Sequence, residues 1–547
     1  MKKPLLIFAL LFCISLVTNA QLLHTSTQEF TRDDSLRGSI TPERAWWDLT
    51  YYELRLQVQP ENKFFKGSTT VHYQVLTENQ RMQIDLQPPL SITKVIEDGK
   101  EISFTKDGAN AYIIQLEKKQ QKGQKGHIVV FYEGHPREAK RAPWDGGVSW
   151  KKDKDGNDFI ATSCQGLGAS VWWPCKDHMY DEPDSMRIQV TVPAHLMNVS
   201  NGRLRKVELN PASQTRTYDW FVSNPINNYG VNINIGNFVR FSETFSGEKG
   251  KLDMDYFVLP YNLEKAKIHF LDAPKMMKAF EHWFGAYPFY EDGFKLVEVP
   301  YLGMEHQSSV TYGNQYMKGY LGRDLSGTGH GLNFDFIIIH ESGHEWFANN
   351  ITYKDIADMW IHESFTNYSE NLFLEFYQGK QVGAEYVIGT RKNILNASPI
   401  IGVYGVNKEG SGDMYYKGGN MLHTIRQIIQ DDDKWRQILR GLNKDFYHQV
   451  VTTEMVENYL IEKSGMALQK VFDQYLRQTA IPTLEWKVTK NTISYRWTTC
   501  VDGFNMPLDV LLDSKKTRLY PTTQWQKTPG SLLQTSKDFY VLEKKTN

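Results

Sequence analysis

The residues with the clearest chemical potential form the pentapeptide HESGH at positions 340–344. If this stretch is helical, residues four apart share one face, so His340 and His344 can bind a single metal ion while Glu341 lies beside it. An apolar run at residues 336–339 leads directly into the pentapeptide, which is typical of a helix whose first turn is buried. The spacing predicts the metal-binding helix of a zinc hydrolase.

A third metal ligand is expected a short distance beyond this helix. Glu363 follows His344 by 19 positions, which leaves room for a loop and a second helix that returns antiparallel to the first. Two histidines and one glutamate leave a fourth coordination position for water, as in catalytic zinc sites. We therefore predict one Zn²⁺ per chain, bound by His340, His344 and Glu363; His330 and His362 are left out of the ligand set.

The two segments that carry these ligands resemble the zinc signature of a known family. Residues 340–349 (HESGHEWFAN) and 358–365 (DMWIHESF) are similar to the signature of the aminopeptidase N family, which includes leukotriene hydrolase. Thermolysin-like endopeptidases share the first helix but usually place their glutamate one residue further on, so the spacing favours the aminopeptidases. The resemblance covers nearly all of the chain after residue 20 and is strongest at residues 294–419.

The resemblance implies a set of residues that bind the substrate's free amine. Gln165 matches the position of a Gln or Glu with this role on the family's β domain. Residues 302–306 (LGMEH) lie where the family carries its Gly-x-Met-Glu-Asn exopeptidase motif. Gly303, Met304 and Glu305 are therefore expected to bind substrate, with the Glu305 carboxylate as the amine anchor.

Two positions of this segment differ from the family motif. Leu302 replaces the motif's glycine, and His306 replaces its asparagine. The anchor carboxylate is kept, so the substitutions bear on the local backbone geometry and on the width of the first subsite.

The remaining catalytic candidates follow from position and resemblance. Glu341 is placed to act as the general base, a role that typically contributes about 10²–10⁴-fold to the rate. Residues 414–419 (MYYKGG) resemble the family's Tyr-x-Lys-Gly segment, which implies that Tyr415 is the catalytic tyrosine. From the residues alone, Tyr415 and Tyr416 are equivalent candidates. Glu370 is expected near the helix face of Glu363, either supporting a ligand or on the surface.

Length and composition limit the class of protein. A chain of 547 residues is too long for one hydrophobic core, so about three domains are expected. The formal net charge of −1 gives no basic footprint for nucleic acid and no polybasic patch for a membrane surface.

The amino terminus has the pattern of a secretory signal peptide at residues 1–20. Lys2 and Lys3 precede an apolar run, and Ala20 supplies a small residue before the expected cleavage site. We expect export to the periplasm or the extracellular space, with no stable membrane insertion after cleavage. Three cysteines then remain, Cys164, Cys175 and Cys500, and the sequence leaves open whether the first two form a disulfide.

Hydrophobic periodicity divides the rest of the chain into three regions of an α+β multidomain protein. Period-two alternation predicts an N-terminal antiparallel β domain at residues 21–241. Helical periodicity from about residue 242 predicts a thermolysin-like, mainly α catalytic domain at residues 242–480. Alternation returns at residues 481–547, which indicates a small C-terminal β-sandwich. Larger family members cover the active site with a further helical domain, so we expect a more open cleft here, or one closed by a second subunit in a homo-oligomer.

Three functions are compatible with these residues. The first is a secreted zinc aminopeptidase that hydrolyses peptides with a free amino terminus. The second is a zinc endopeptidase or an epoxide hydrolase on the same fold, and the third is a non-catalytic peptide-binding relative. Zinc content separates the third from the others, and the effect of blocking the substrate's amino terminus separates the first two.

Overall fold

The computed structural model describes residues 29–547. The predicted signal peptide at residues 1–20 lies outside this range. Within the described range, every helix is too short or too polar to span a bilayer.

The first region is built mainly of strands, as predicted. Its elements are Arg32–Gly38 (α1), Pro42–Ala45 (α2), Trp47–Gln59 (β1), Phe64–Val75 (β2), Asn79–Asp85 (β3), Ser91–Glu97 (β4), Lys100–Ile102 (β5), Phe104–Asp107 (β6), Ala111–Gln120 (β7), Lys125–Gly134 (β8), Gly147–Lys152 (β9), Asp158–Ser163 (β10), Ser185–Pro193 (β11), Met197–Ser200 (β12), Arg203–Asn210 (β13), Thr215–Val222 (β14) and Ile233–Gly236 (β15). The largest sheet has the strand order β13-β14-β11-β1-β2-β8-β4-β5, and β12-β15-β10-β9 and β3-β7-β6 form two smaller sheets. In β1 the residues of one face, including Leu54 and Leu56, are buried, while Arg55 and Gln57 between and beyond them are exposed. This alternation is what the sequence pattern predicts.

The second region contains a further sheet and most of the helices. Its elements are Val239–Gly247 (β16), Gly250–Val258 (β17), Leu263–His269 (α3), Asp272–Phe284 (α4), Phe294–Glu298 (β18), Gly303–Met304 (β19), Val310–Tyr312 (β20), Phe336–Gly343 (α5), Ile351–Tyr353 (β21), Trp360–Gln378 (α6), Lys380–Gly389 (α7), Tyr416–Ile429 (α8), Asp432–Asp445 (α9), Gln449–Val451 (β22), Thr453–Ser464 (α10) and Gln469–Arg477 (α11). Its main sheet has the order β16-β17-β18-β20-β19.

The expectation of helical structure from residue 242 is wrong by about twenty residues. The hairpin β16–β17 continues to Val258, and the first helix of this region begins at Leu263. Leu252, Met254 and Tyr256 are buried at every second position of β17 and pack in the same core as the helices. The period of the strand therefore continues past the expected boundary, because β17 pairs in parallel with β18 of the second region.

The third region forms two small sheets, in agreement with the expected C-terminal β-sandwich. Its strands are Thr483–Thr489 (β23), Thr492–Thr498 (β24), Leu508–Leu512 (β25), Lys515–Leu519 (β26), Gln526–Pro529 (β27), Leu533–Thr535 (β28) and Leu542–Lys545 (β29). The sheets have the orders β27-β24-β23-β29 and β26-β25-β28. Their apolar residues share one core with the helices of the second region, whereas the first region has a core of its own.

The cysteines do not crosslink the described chain. Cys164 and Cys175 are buried free thiols, and Cys500 is a partly buried one. The disulfide between the first two, which the sequence left open, is therefore not formed in this structure.

Candidate active site

Helix α5 has a firmly capped amino-terminal end; it carries His340, and His344 is its C-cap residue. The Asp335 side chain accepts a hydrogen bond from the Ile338 backbone N–H at 3.1 Å, which satisfies a donor that the helix leaves free. Tyr312 donates to the same carboxylate at 2.8 Å, so the cap is itself fixed by the neighbouring strand β20. Because residues 336–339 are buried, the helix cannot rotate away from the core.

The regular helix ends at Gly343, immediately before the second histidine. Phe347 and Ala348 have non-helical backbone angles within the following turn. The break brings the Phe347 carbonyl to 3.0 Å from His344 Nδ1, and the Thr366 hydroxyl lies at the same distance from this nitrogen. With Nδ1 held in this way, His344 presents Nε2 to α6.

The three predicted metal ligands converge between α5 and α6. Glu363 Oε2 lies 3.7 Å from His340 Nε2 and 3.4 Å from His344 Nε2. One ligand atom from each residue falls within a 4.8 Å cluster, and all three residues are buried. Among the described residues, Glu363 Oε2 has no hydrogen-bond partner, although burial without a partner is costly for a carboxylate. Both the donor set and this oxygen fit a Zn²⁺ ion.

Glu370 lies further along α6 than Glu363 and supports the ligand His340 from behind. Its Oε1 lies 2.8 Å from His340 Nδ1, and Tyr386 donates to its Oε2 at 2.6 Å. A carboxylate behind a histidine fixes the ring and keeps the opposite nitrogen available to a metal. Of the two roles considered for Glu370, the structure therefore places it behind a ligand and not on the surface.

Glu341 lines the cleft beside the histidines. Burial raises the pKa of Glu341 to about 7; His340 and His344 oppose this shift, and the carboxylates of Glu305 and Glu363 reinforce it. A carboxylate whose pKa lies near neutrality is suited to accept and return a proton.

The predicted amine-binding residues meet the metal cluster from the other side of the cleft. Glu305 follows β19, and Gln165 lies in the loop after β10. Gln165 Nε2 donates to Glu305 Oε1 at 2.7 Å and to Glu363 Oε1 at 3.1 Å. Burial raises the pKa of Glu305, and His344 acts against that shift. One amide thus joins the anchor carboxylate to the metal-ligand carboxylate.

The backbone at Gly303 lies too close to α5 for a side chain. A Cβ atom there would be 2.6 Å from Ile337 Cγ2 and 2.9 Å from the Thr311 carbonyl oxygen, and its φ is +154°. The residue that replaces the motif's asparagine, His306, is fully buried with Nδ1 3.3 Å from Thr311 Oγ1. The same hydroxyl donates to the Met304 carbonyl at 3.1 Å, so Thr311 holds both flanks of Glu305.

Tyr229, which no sequence motif marks, also belongs to this site. Its hydroxyl forms a hydrogen bond with the Glu305 carboxylate, which lowers the pKa of Glu305 against the effect of burial. The same hydroxyl lies 3.5 Å from His362 Nδ1. His362 Nε2 accepts from the Tyr353 backbone N–H at 2.9 Å, so both ring nitrogens face protein groups and not the metal cluster. Tyr229 lies in an asparagine-rich stretch without a motif of its own, and only its position in space marks it.

The structure also distinguishes the two adjacent tyrosines. The Tyr415 ring lies 6.0 Å from the His340 ring, and its hydroxyl reaches Glu363. Burial raises the pKa of Tyr415, which keeps the hydroxyl protonated and able to donate. Tyr416 lies one ring further away, 6.4 Å from Tyr415.

These residues surround a cavity of about 420 Å³. Its walls are the catalytic candidates together with a mostly apolar set: Pro143, Trp144, Leu302, Gly303, Met304, Tyr320, Leu325, Phe336, Ile337 and Tyr416. The volume is within the range of small-molecule and short-peptide sites, roughly 300–1,000 Å³.

A buried His-His-Glu cluster on two adjacent helices, with a free carboxylate beside it, defines the class of zinc metallopeptidases. Residues 269–475 match the Peptidase family M1 domain, and residues 49–229 match the Peptidase M1 N-terminal domain. The chain therefore belongs to peptidase family M1.

Individual relatives agree with this assignment. The chain is 22% identical over 460 residues to a "Probable aminopeptidase 2" of Sulfurisphaera tokodaii, covering 81% of this chain and 55% of the relative. It is 21% identical over 466 residues to "Aminopeptidase N" of Lactococcus lactis subsp. lactis, covering 81% and 52%. The chain thus spans about half the length of these curated relatives.

A solved structure shows the same fold. An M1 zinc metallopeptidase from Deinococcus radiodurans, bound to a Tyr-Ser-Ala substrate, superposes with a TM-score of 0.66 at 19% identity. The superposition covers 80% of this chain and 96% of the other. The predicted fold class is confirmed by this likeness.

Proposed function

We propose that this protein is a zinc aminopeptidase that removes single residues from the amino terminus of peptides. One observation carries the proposal: Gln165 joins the Glu305 carboxylate to Glu363 within the metal cluster. A positively charged amine held by Glu305 would place the first peptide bond, and no later one, beside His340 and His344. Aminopeptidases among the relatives support the same activity.

His340, His344 and Glu363 would hold the Zn²⁺ ion. When bound, zinc polarises the scissile carbonyl and lowers the pKa of water to about 7. Glu341 takes a proton from the attacking water and returns it to the leaving amine. Its buried position keeps that proton within the cleft during the exchange.

Tyr415 would stabilise the charge that develops on the carbonyl oxygen. Its hydroxyl is buried, protonated and directed towards the metal cluster. Removing one donor of this kind typically lowers kcat about 10²–10³-fold.

The amine anchor would decide between exopeptidase and endopeptidase activity. A buried carboxylate left without its cationic partner costs on the order of 3–5 kcal/mol. Peptides that lack a free amine leave Glu305 in this state, so their cleavage is expected to be at least about a hundredfold slower.

We also propose that the protein is exported to the periplasm or the extracellular space. The basis is the charge and hydropathy pattern of residues 1–20. Amino-terminal sequencing of the protein purified from its source tests this proposal, with cleavage before Gln21 as the expected result.

The test of activity compares one short peptide in its free and N-acetylated forms, using the zinc-loaded chain from Gln21. Hydrolysis of the free form alone, one residue at a time from the amino end, is expected. Equal cleavage of both forms would indicate an endopeptidase instead. Tight zinc binding without cleavage of either form would indicate a peptide-binding relative.

A further inference from the structure

We propose that two arginines at the mouth of the cleft, Arg141 and Arg323, bind the carboxyl terminus of short peptide substrates. These two residues are the rim arginines. The inference rests on the proposed aminopeptidase function and narrows its substrates to short peptides with a free carboxylate.

The first rim arginine lies over an aromatic wall of the cleft. The Arg141 guanidinium carbon is 5.2 Å from the Trp144 ring centroid, and Trp144, which is 55% exposed, lines the cavity. Backbone hydrogen bonds in both directions between Arg141 and Asp145 close this loop into a turn. The stacking holds the guanidinium beside the cavity wall, while Arg141 itself remains exposed.

The second rim arginine lies at the end of a continuous aromatic path to the metal cluster. The Arg323 guanidinium carbon is 5.7 Å from the Tyr320 ring. The Tyr320 ring is 5.4 Å from Phe336, and Phe336 stacks on His340 at 5.0 Å. Three short steps therefore separate this cation from a metal ligand.

Both guanidiniums act on one group of the cleft wall. Burial raises the pKa of Tyr320, and Arg323 and Arg141 both oppose that shift. Tyr320, which lines the cavity, therefore lies within the electrostatic reach of both cations.

Within residues 29–547, neither rim arginine forms a salt bridge with a carboxylate. Arg137, on the same loop as Arg141, is by contrast paired with Asp145. The carboxylates of Glu305 and Glu341 lie at the bottom of the cleft, and the two cations lie at its mouth. The electrostatic potential therefore changes from negative to positive along the cleft. A short peptide is the complementary ligand, because it carries an ammonium at one end and a carboxylate at the other.

The geometry limits the length of that peptide. The three steps from Arg323 to His340 cannot exceed the span of about five extended residues, at roughly 3.3 Å each. A peptide of about five residues or fewer can therefore extend from the metal cluster beside His340 to the rim arginines. The carboxylate of a much longer peptide would lie beyond them.

The experiment compares Ala-Ala-Ala with its carboxyl-terminal amide as substrates of the zinc-loaded enzyme. We expect amidation to raise KM about three- to tenfold, as the loss of two solvent-exposed ion pairs would, with little change in kcat. The same comparison with a decapeptide should give no difference. In the variant Arg141→Ala/Arg323→Ala, acid and amide should have the same KM, and Arg141→Lys/Arg323→Lys should restore part of the difference.

Two controls separate this inference from other effects. Lys140→Ala removes an exposed cation from the same loop that does not stack on the cleft wall, and it should preserve the response to amidation. Alanine p-nitroanilide has no carboxylate, so its hydrolysis should be equal in the wild type and in the double alanine variant.

The outcomes are distinguishable. If the wild type hydrolyses the p-nitroanilide but treats acid and amide alike, the rim arginines do not bind the carboxylate. A difference that persists in the double alanine variant would overturn the inference equally. If the wild type hydrolyses neither the p-nitroanilide nor the peptides, the proposed aminopeptidase function fails, and the inference with it.

Discussion

The two walls of the cleft are assembled in different ways. The metal-binding wall consists of His340, His344 and Glu363, which come from two helices adjacent in the sequence and are held by groups of the same two segments. The proposed amine-binding wall consists of Gln165 and Glu305, which lie 140 residues apart and come from different regions.

The first wall is therefore formed by residues close in sequence, whereas the second depends on contacts between distant parts of the chain. The ligands of the metal-binding wall come from α5, its C-cap and α6, which lie close together in the sequence. The amine-binding wall needs the first region to pack on the second, because Val297 and Met304, on the chain leading to Glu305, belong to the core of the first region. Substitutions that leave the Gln165 bridge intact should therefore affect either metal binding or selection of the substrate's amine, but not both.

The largest effect is expected at the general base. Glu341→Gln keeps the size of the side chain but removes its capacity to take a proton, and it should lower kcat about 10²–10⁴-fold. Zinc content, measured by atomic absorption, should stay at one ion per chain. Loss of zinc in this variant would mean that Glu341 belongs to the metal-binding wall as a ligand.

The next largest effect tests the amine-binding wall alone. Glu305→Ala should lower kcat/KM for free-amine peptides by about a hundredfold, because the ammonium loses its buried counter-charge. Zinc affinity should remain unchanged, and the small rate on N-acetylated peptides should not fall further. Unchanged turnover of free-amine peptides in this variant would exclude Glu305 as the anchor.

The converse variant affects the metal-binding wall alone. Glu370→Gln weakens the support of His340 and should reduce zinc affinity about 10–100-fold, measured by competition with a chelator. Under saturating zinc, the preference for a free amine should be that of the wild type. Glu385→Gln is the matched control, since Glu385 pairs with His330 at the surface and contacts no ligand.

The smallest effect is expected at the tyrosine behind the anchor. Tyr229→Phe removes one hydroxyl beside Glu305 and should raise KM for free-amine peptides about fivefold, the equivalent of one net hydrogen bond. The variant should bind zinc as the wild type does. Tyr377→Phe, which removes a surface hydroxyl that donates to the Lys275 carbonyl, serves as control. Equal KM values for both variants would show that the Tyr229 hydroxyl does not support Glu305 in binding the amine.

Several features of this protein were predictable from local sequence patterns. The spacing of His340 and His344 and the position of Glu363 depend on helix geometry and loop length, and the structure brings these residues together. The alternation in β1 is likewise a short-range feature. The start of the helical region was misplaced because a strand pattern shows burial on one face but not the sheet to which the strand belongs.

Other features were decided only by tertiary packing. The choice between Tyr415 and Tyr416 depends on which ring faces His340, and two adjacent aromatic residues carry no signal for that. Tyr229 likewise lies far in sequence from Glu305, whose carboxylate its hydroxyl reaches. Helix and strand periods specify which side chains share a face, whereas contacts between regions depend on how the two cores meet. The sequence by itself thus determined the metal-binding chemistry, and only the fold decided how the amine-binding wall and the cleft mouth complete it.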